Sequence, residues 1–370
     1  MAREELKFAK DWVLILWYPF FMNSAKKGNP VVVYREVRMR YFAIALGPML
    51  VFWIHAFITN HLIAVDVAVP TDILQTERPW LEAVGRHRFL AATWFFAALA
   101  VLAVAMLVRN LARPTVPKTR AAAIATVIIV LLLAVIPTVQ QNISPDGTRV
   151  YHRLGAAFFE AALSRGGLPG CIGPEDLWLL GRCGEVPAIS LFNRILDIVN
   201  VLAGLAVGAL IVGMVLCLET PDGDDIEEQA ALLVQNIKQM RQQLYMSSIV
   251  LTFGMLFATS WMYWPLPLVE EAEQAAYGAL VLASALFTGT YFSLLILSFY
   301  LPVALILDGR TRTLAEKVGQ GAPPGDQVDV EDWRASRGLQ DGAIDYLRAG
   351  FAVTAPVLAA FAGGISPIAL

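Results

Sequence analysis

The chain has 370 residues, of which 57% are hydrophobic and only 16% charged, with a formal net charge of -3. A soluble domain carries about 25% charged residues and a nucleic-acid binder concentrates basic charge, so neither class fits and no nucleic-acid partner is expected. Three cysteines are too few for a disulfide-built scaffold and lack zinc-type Cys-x-x-Cys spacing.

Charge is segregated along the chain. All 28 Lys and Arg residues lie outside the long apolar runs, whereas a soluble amphipathic helix needs a polar face of its own. Six runs, 41–65, 89–108, 121–139, 195–218, 246–265 and 276–301, are long enough to cross a hydrocarbon core about 30 Å thick as helices. The pattern predicts an all-α polytopic membrane protein with about six transmembrane helices and the lipid bilayer as its solvent.

Residues 1–40 form a basic segment with Lys7, Lys10, Lys26, Lys27, Arg35, Arg38 and Arg40. Within it the apolar stretch 12–22 is too short to span and suits the membrane interface. Spans 1–3 occupy 41–139, and the short loop between the second and third carries Arg109, Arg113, Lys118 and Arg120. Basic residues stay on the cytoplasmic side, which places both termini inside (N-in, C-in). The Ala-rich composition suits a bacterial inner membrane. Gly47-Pro48 can open the first span near its inner end, as broken helices do in carriers.

Residues 140–194 are then extracytoplasmic. They hold Cys171 and Cys183, predicted to pair as a disulfide in an oxidising compartment. Spans 4–6 occupy 195–307. Gly204 and Gly208 give the fourth a small-residue stripe that lets helices approach closely. The aromatics Trp261-Met262-Tyr263-Trp264, with Trp53, read as belt anchors at the outer ends of their helices.

Before the fifth span, Ile226, Ala230, Leu233, Ile237, Met240 and Leu244 repeat at heptad spacing. Asp224 is placed to cap the start, with Glu227 three residues later. No Gly or Pro interrupts the path to Gly254, so a cytoplasmic helix over 224–245 should continue into the fifth span. The seam needs a partner, either a second copy of the chain or another cytoplasmic segment such as 340–348. Residues 308–370 form a cytoplasmic C-terminal region whose last apolar run, 350–370, carries Pro356, Gly363, Gly364 and Pro367; it is expected to be a packed tail, with a seventh span as the alternative.

Ionisable and polar groups inside the spans are functional candidates by default. They are His55 and His61 in the first span, and Asp197 and Asn200 in the fourth. His55 and His61 are six apart, off the three-or-four spacing that shares a helix face. No nucleotide loop, serine elbow or metalloprotease motif occurs, so no catalytic residue, metal ligand or cofactor is assigned. Scarce buried charge favours a non-enzymatic, homo-oligomeric membrane assembly: a channel, a membrane effector or a scaffold. The alternative is a small-molecule or ion transporter whose ligand the sequence does not identify, and the third class is a membrane-embedded metal-dependent enzyme.

Overall fold

A computed structural model of the chain describes residues 36–63, 80–143, 177–178, 181–182, 188–220, 225–321, 329–340 and 342–365, all within one compact unit, Arg35–Leu370. The expected disulfide, the stretch 12–22, His152 and the cap residue Asp224 lie outside the described residues. Almost everything described is helical. The helices are α1 (Leu46–Ile58), α2 (Trp80–Ala112), α3 (Pro117–Ile143), α4 (Ala188–Val215), α5 (Ile226–Met262), α6 (Glu271–Gly321), α7 (Val330–Ser336) and α8 (Ala343–Ile365). One short antiparallel pair joins Leu177–Trp178 to Gly181–Arg182.

Among the described residues, seven helical stretches are long and apolar enough to cross a membrane. Six correspond to the runs read from the sequence; the seventh, Ala343–Gly363, takes in much of the 350–370 run, expected as a packed tail with a seventh span as the alternative. Its mean hydropathy of 1.3 is the lowest of the seven, because Asp345 and Arg348 fall inside it. The helix also continues through Pro356. A proline is tolerated in a membrane-type helix where neighbours surround the interrupted turn, and here Gly289 of α6 brings its backbone against the Pro356 carbonyl. Arg241 of α5 pairs with Asp345 at 3.3 Å, while Gly363 lies beside Thr259. Both pairs are the same number of residues apart, so α8 runs parallel to α5 along its whole length.

α5 is a single helix from Ile226 to Met262, continuous as expected, but its N-cap is Asp225, which accepts the Glu227 N–H at 3.0 Å. Its seam is consumed inside the chain. Ala230, Leu233, Ile237, Met240 and Leu244 are buried in one cluster with Leu307, Leu314 and Leu339, while Ile226 at the first turn is exposed. Leu307 and Leu314 belong to a charged extension of α6 that runs unbroken through Pro302 to Gly321. The apolar run read from the sequence stops at Leu307, and Asp308, Arg310 and Arg312 beyond it carry no membrane signal although the helix continues through them.

The same end of the bundle is tied by cations, and is here called the basic end. Arg310 donates to the carbonyls of Glu219 at 2.9 Å and Leu218 at 3.1 Å, filling acceptors that the C-terminus of α4 leaves open and opposing its negative dipole. Arg334, buried, pairs with Asp308, which also meets Arg312 at 3.0 Å. Arg337 forks onto Glu227; hydrogen bonding to that guanidinium holds the Glu227 carboxyl below its ordinary range. The entering chain is clamped there too: Thr220 N donates to the Glu36 carbonyl at 3.0 Å and Val37 N to Thr119 Oγ1 at 3.3 Å.

The opposite end is aromatic and dry. Trp261, Tyr263 and Trp264 are buried, not belt anchors. Trp264 packs on Phe89 at 5.3 Å and Phe192 at 4.9 Å between ring centroids, fitting under α2 because Gly85 has no side chain to meet its carbonyl. Trp53, by contrast, is exposed on α1.

Candidate functional site

α4 is the axis of this arrangement. Its glycines take the backbone of α3: a Cβ on Gly204 would lie 2.3 Å from that of Ala134, and one on Gly208 3.4 Å from the Val127 Cα. The stripe read from the sequence is therefore an internal packing surface. α4 also packs on α2 and α5.

α1 is attached differently. It follows a seven-residue 3-10 segment, Met39–Ala45, and gives way to a π-helical turn, Thr59–Ile63. Long 3-10 runs and π turns are uncommon and recur at functional sites. The opening expected at Gly47-Pro48 is not seen: the helix runs through both residues, and the change from 3-10 to α geometry falls just before them, at Ala45–Leu46. Gly47 lets α1 close on the Ser298 carbonyl of α6. α1 packs on α6 and α3 on α4, whereas α1 and α3 make at most marginal contact with each other.

Between these two pairs lies a cavity of about 490 Å³, within the roughly 300–1,000 Å³ typical of small-molecule sites. Among the described residues its lining comes from α1 and the turn after it, α2, α3, α4, α5 and α6, and includes no Asp, Glu, Lys or Arg. The helix pairings order its residues by depth. Gly47 faces Ser298 and His55 stacks on Tyr291, so positions further along α1 lie further from the basic end. Toward that end the wall is apolar, with Met49, Val130, Val207, Ile211 and Leu295. Away from it stand His55, Thr59, Thr138, Asn200, Ser284 and Thr288, with Leu280 and Ala283 at the rim. His55 is buried, its ring 4.0 Å from that of Tyr291 and 5.1 Å from that of Phe287. Thr59 is 9% exposed, and its hydroxyl finds no hydrogen-bond partner among the described residues.

The predicted intramembrane polar residues thus separate. His55 and Asn200 meet in the cavity. His61 is exposed beside Phe57, and Asp197 pairs with Arg194 at 3.4 Å, an exposed pair of little energetic weight. Among the described residues, no three His, Cys, Asp or Glu side chains gather where a metal could bind. Cys217 is buried and donates to the Gly213 carbonyl. Thr59, Thr138, Ser284 and Thr288 escaped sequence reasoning because threonine and serine also bond to their own helix and carry no motif. Comparison with protein-family models, curated proteins and solved structures finds no match to this chain.

Proposed function

We propose that the protein is a membrane carrier that holds one small apolar or amphiphilic molecule in the cavity between α1, α3, α4 and α6. In this reading the seven long helices cross the bilayer with the basic end in the cytoplasm, as the distribution of Arg and Lys favours. The seventh then brings the C-terminus to the outer side. The observation that carries the proposal is the cavity of about 490 Å³ between α1 and α4, with no charged side chain among the described residues that line it.

The cavity moves the weight from a self-assembling channel, effector or scaffold to the transporter class. Both features that suggested self-assembly, the seam of Leu233 and Ile237 and the Gly204/Gly208 stripe, already have partners within one chain. An apolar pocket with a few convergent polar groups is the ordinary form of a small-molecule site. A charged ion would meet no countercharge there, and burying one unpaired is costly.

The test is native mass spectrometry of protein purified from its host membrane. Wild type is expected to carry one lipophilic adduct per chain, and Ala258→Phe, which fills the cavity from α5, is expected to lose it. A wild-type spectrum without adducts, or identical adducts on both proteins, would overturn the proposal.

A further inference from the structure

Resting on the cavity-binding reading, we infer that the ligand is a single-chain amphiphile with an uncharged hydrogen-bonding head, seated with the head at Thr59 and the chain pointing toward Ile211. Three independent features converge on that chemistry.

The first is the polarity gradient. Hydrogen-bonding side chains occupy only the part of the cavity away from the basic end, and the remainder is aliphatic and aromatic. A wholly apolar ligand would leave the polar part without partners, and a wholly polar one would strand its groups among Met49, Val207 and Leu295. The second is the Thr59 hydroxyl, nine-tenths buried, lining the cavity and lacking a partner among the described residues. Buried polar atoms are satisfied in the great majority of cases, so this one marks where a ligand donor or acceptor belongs. It stands where α1 turns from α to π helix, a change that re-aims the side chains at that end. The third is that no Asp, Glu, Lys or Arg stands among the described residues of the lining. A phosphate, sulfate or quaternary ammonium head would be desolvated there without compensation, whereas a hydroxyl, ester or amide head matches the threonine, serine and asparagine groups present.

The route of entry follows from the walls. α1 and α3 scarcely touch among the described residues, and both present exposed apolar faces, with Leu50 and Ile54 on one and Ile128 and Leu132 on the other. In the membrane orientation proposed above, the gap between them faces lipid. A molecule already dissolved in the bilayer can enter sideways without first passing through water.

The test uses photoreactive monolauroylglycerol with a diazirine at the chain end or beside the ester. Protein in dioleoylphosphatidylcholine vesicles is irradiated and the cross-linked peptides are mapped. The chain-end probe is expected on Val130, Val207 or Ile211 and the ester-side probe on residues 55–59 or 284–288, both suppressed by excess unlabelled monolauroylglycerol. Thr59→Val should lower ester-side labelling about fivefold, as for loss of one hydrogen bond. Photoreactive dodecane should still label the interior of that variant, which shows the cavity intact. Equal labelling of the lining by a sulfate- or trimethylammonium-headed dodecyl probe, a reversed orientation, or an unaffected Thr59→Val would overturn this inference and leave cavity binding standing. No probe on any lining residue, or only uncompeted labelling of Ile128 and Leu132, would overturn both.

Discussion

α4 and α1 are both strongly apolar, with mean hydropathies of 2.7 and 1.9, yet they do opposite jobs. Of the most apolar part of α4, 72% is buried inside the bundle; of that of α1 with its 3-10 lead-in, only 17% is. α4 is held by glycine contacts to α3, by α2 and α5, and by Arg310 at its C-terminus. α1 rests mainly on α6 and is irregular at both ends. In water, leaving a helix as apolar as α1 so exposed would be costly. Where lipid is the alternative to protein, apolarity decides only that a helix leaves water. Small residues and polar anchors decide which helix becomes core and which stays at the edge of the bundle.

The comparison can be broken most severely at the core. Leu210→Ala on α4, where the side chain is buried, should cost about 2–5 kcal/mol through the cavity it leaves, read as a fall in the midpoint of thermal unfolding in detergent. Leu50→Ala on α1, exposed on the lipid side, should stay within about 0.5 kcal/mol. Equal losses at the two positions would erase the distinction. Next comes overpacking. Gly204→Leu drives a side chain into Ala134 and should cost about 1–3 kcal/mol by the same measurement, with Ala134→Gly restoring part of it in the double mutant.

Smaller still, Arg310→Met removes two donors from the end of α4 and should cost about 1–2 kcal/mol. Faster amide exchange should follow at the basic end and none at Trp264. The smallest effect concerns Glu227, fully exposed, whose carboxyl is lowered by its hydrogen bonds to Arg337. A lowered carboxylate contributes stability that is complete above the unfolded-state value and disappears as pH falls through the folded one. The difference in melting temperature between wild type and Glu227→Gln should therefore be constant near neutrality and close below about pH 4. A gap that persists at lower pH would mean that Glu227 acts through something other than its charge.

The helices long and apolar enough to cross a membrane were legible in the sequence because length and the exclusion of Arg and Lys are strong, local signals. The seventh was harder. Asp345, Arg348 and Pro356 diluted its apolarity, and the neighbours that tolerate them, Arg241 and Gly289, are far away in the chain. The heptad over 226–244 was visible and so was one intramolecular partner, since α8 packs along α5 from Asp345 onward; Leu307 and Leu314 were missed because charges follow them on the end of α6. Half of the candidate site was within reach, because His55 and Asn200 stand out in apolar runs. The rest, Thr59 with Thr138, Ser284 and Thr288, becomes a site only when the end of α1, α3 and α6 bring scattered hydroxyls together. The Trp261–Trp264 group misled for a related reason: an aromatic cluster at a helix end serves a lipid interface and a buried cap equally well, and only the Gly85 contact separates them.

The proposal that a ligand enters the cavity between α1 and α3, beside a core fixed around α4, is tested most directly by spin-label distances in lipid nanodiscs. One label pair would join α1 to α3 through Leu50 and Ile128, and a second α4 to α5 through Ile198 and Ile249, all exposed positions. The α4–α5 pair should give one narrow distance that ignores added monolauroylglycerol, and the α1–α3 pair a broad distribution that shifts when it is added. Two narrow distributions, both unmoved, would contradict the account.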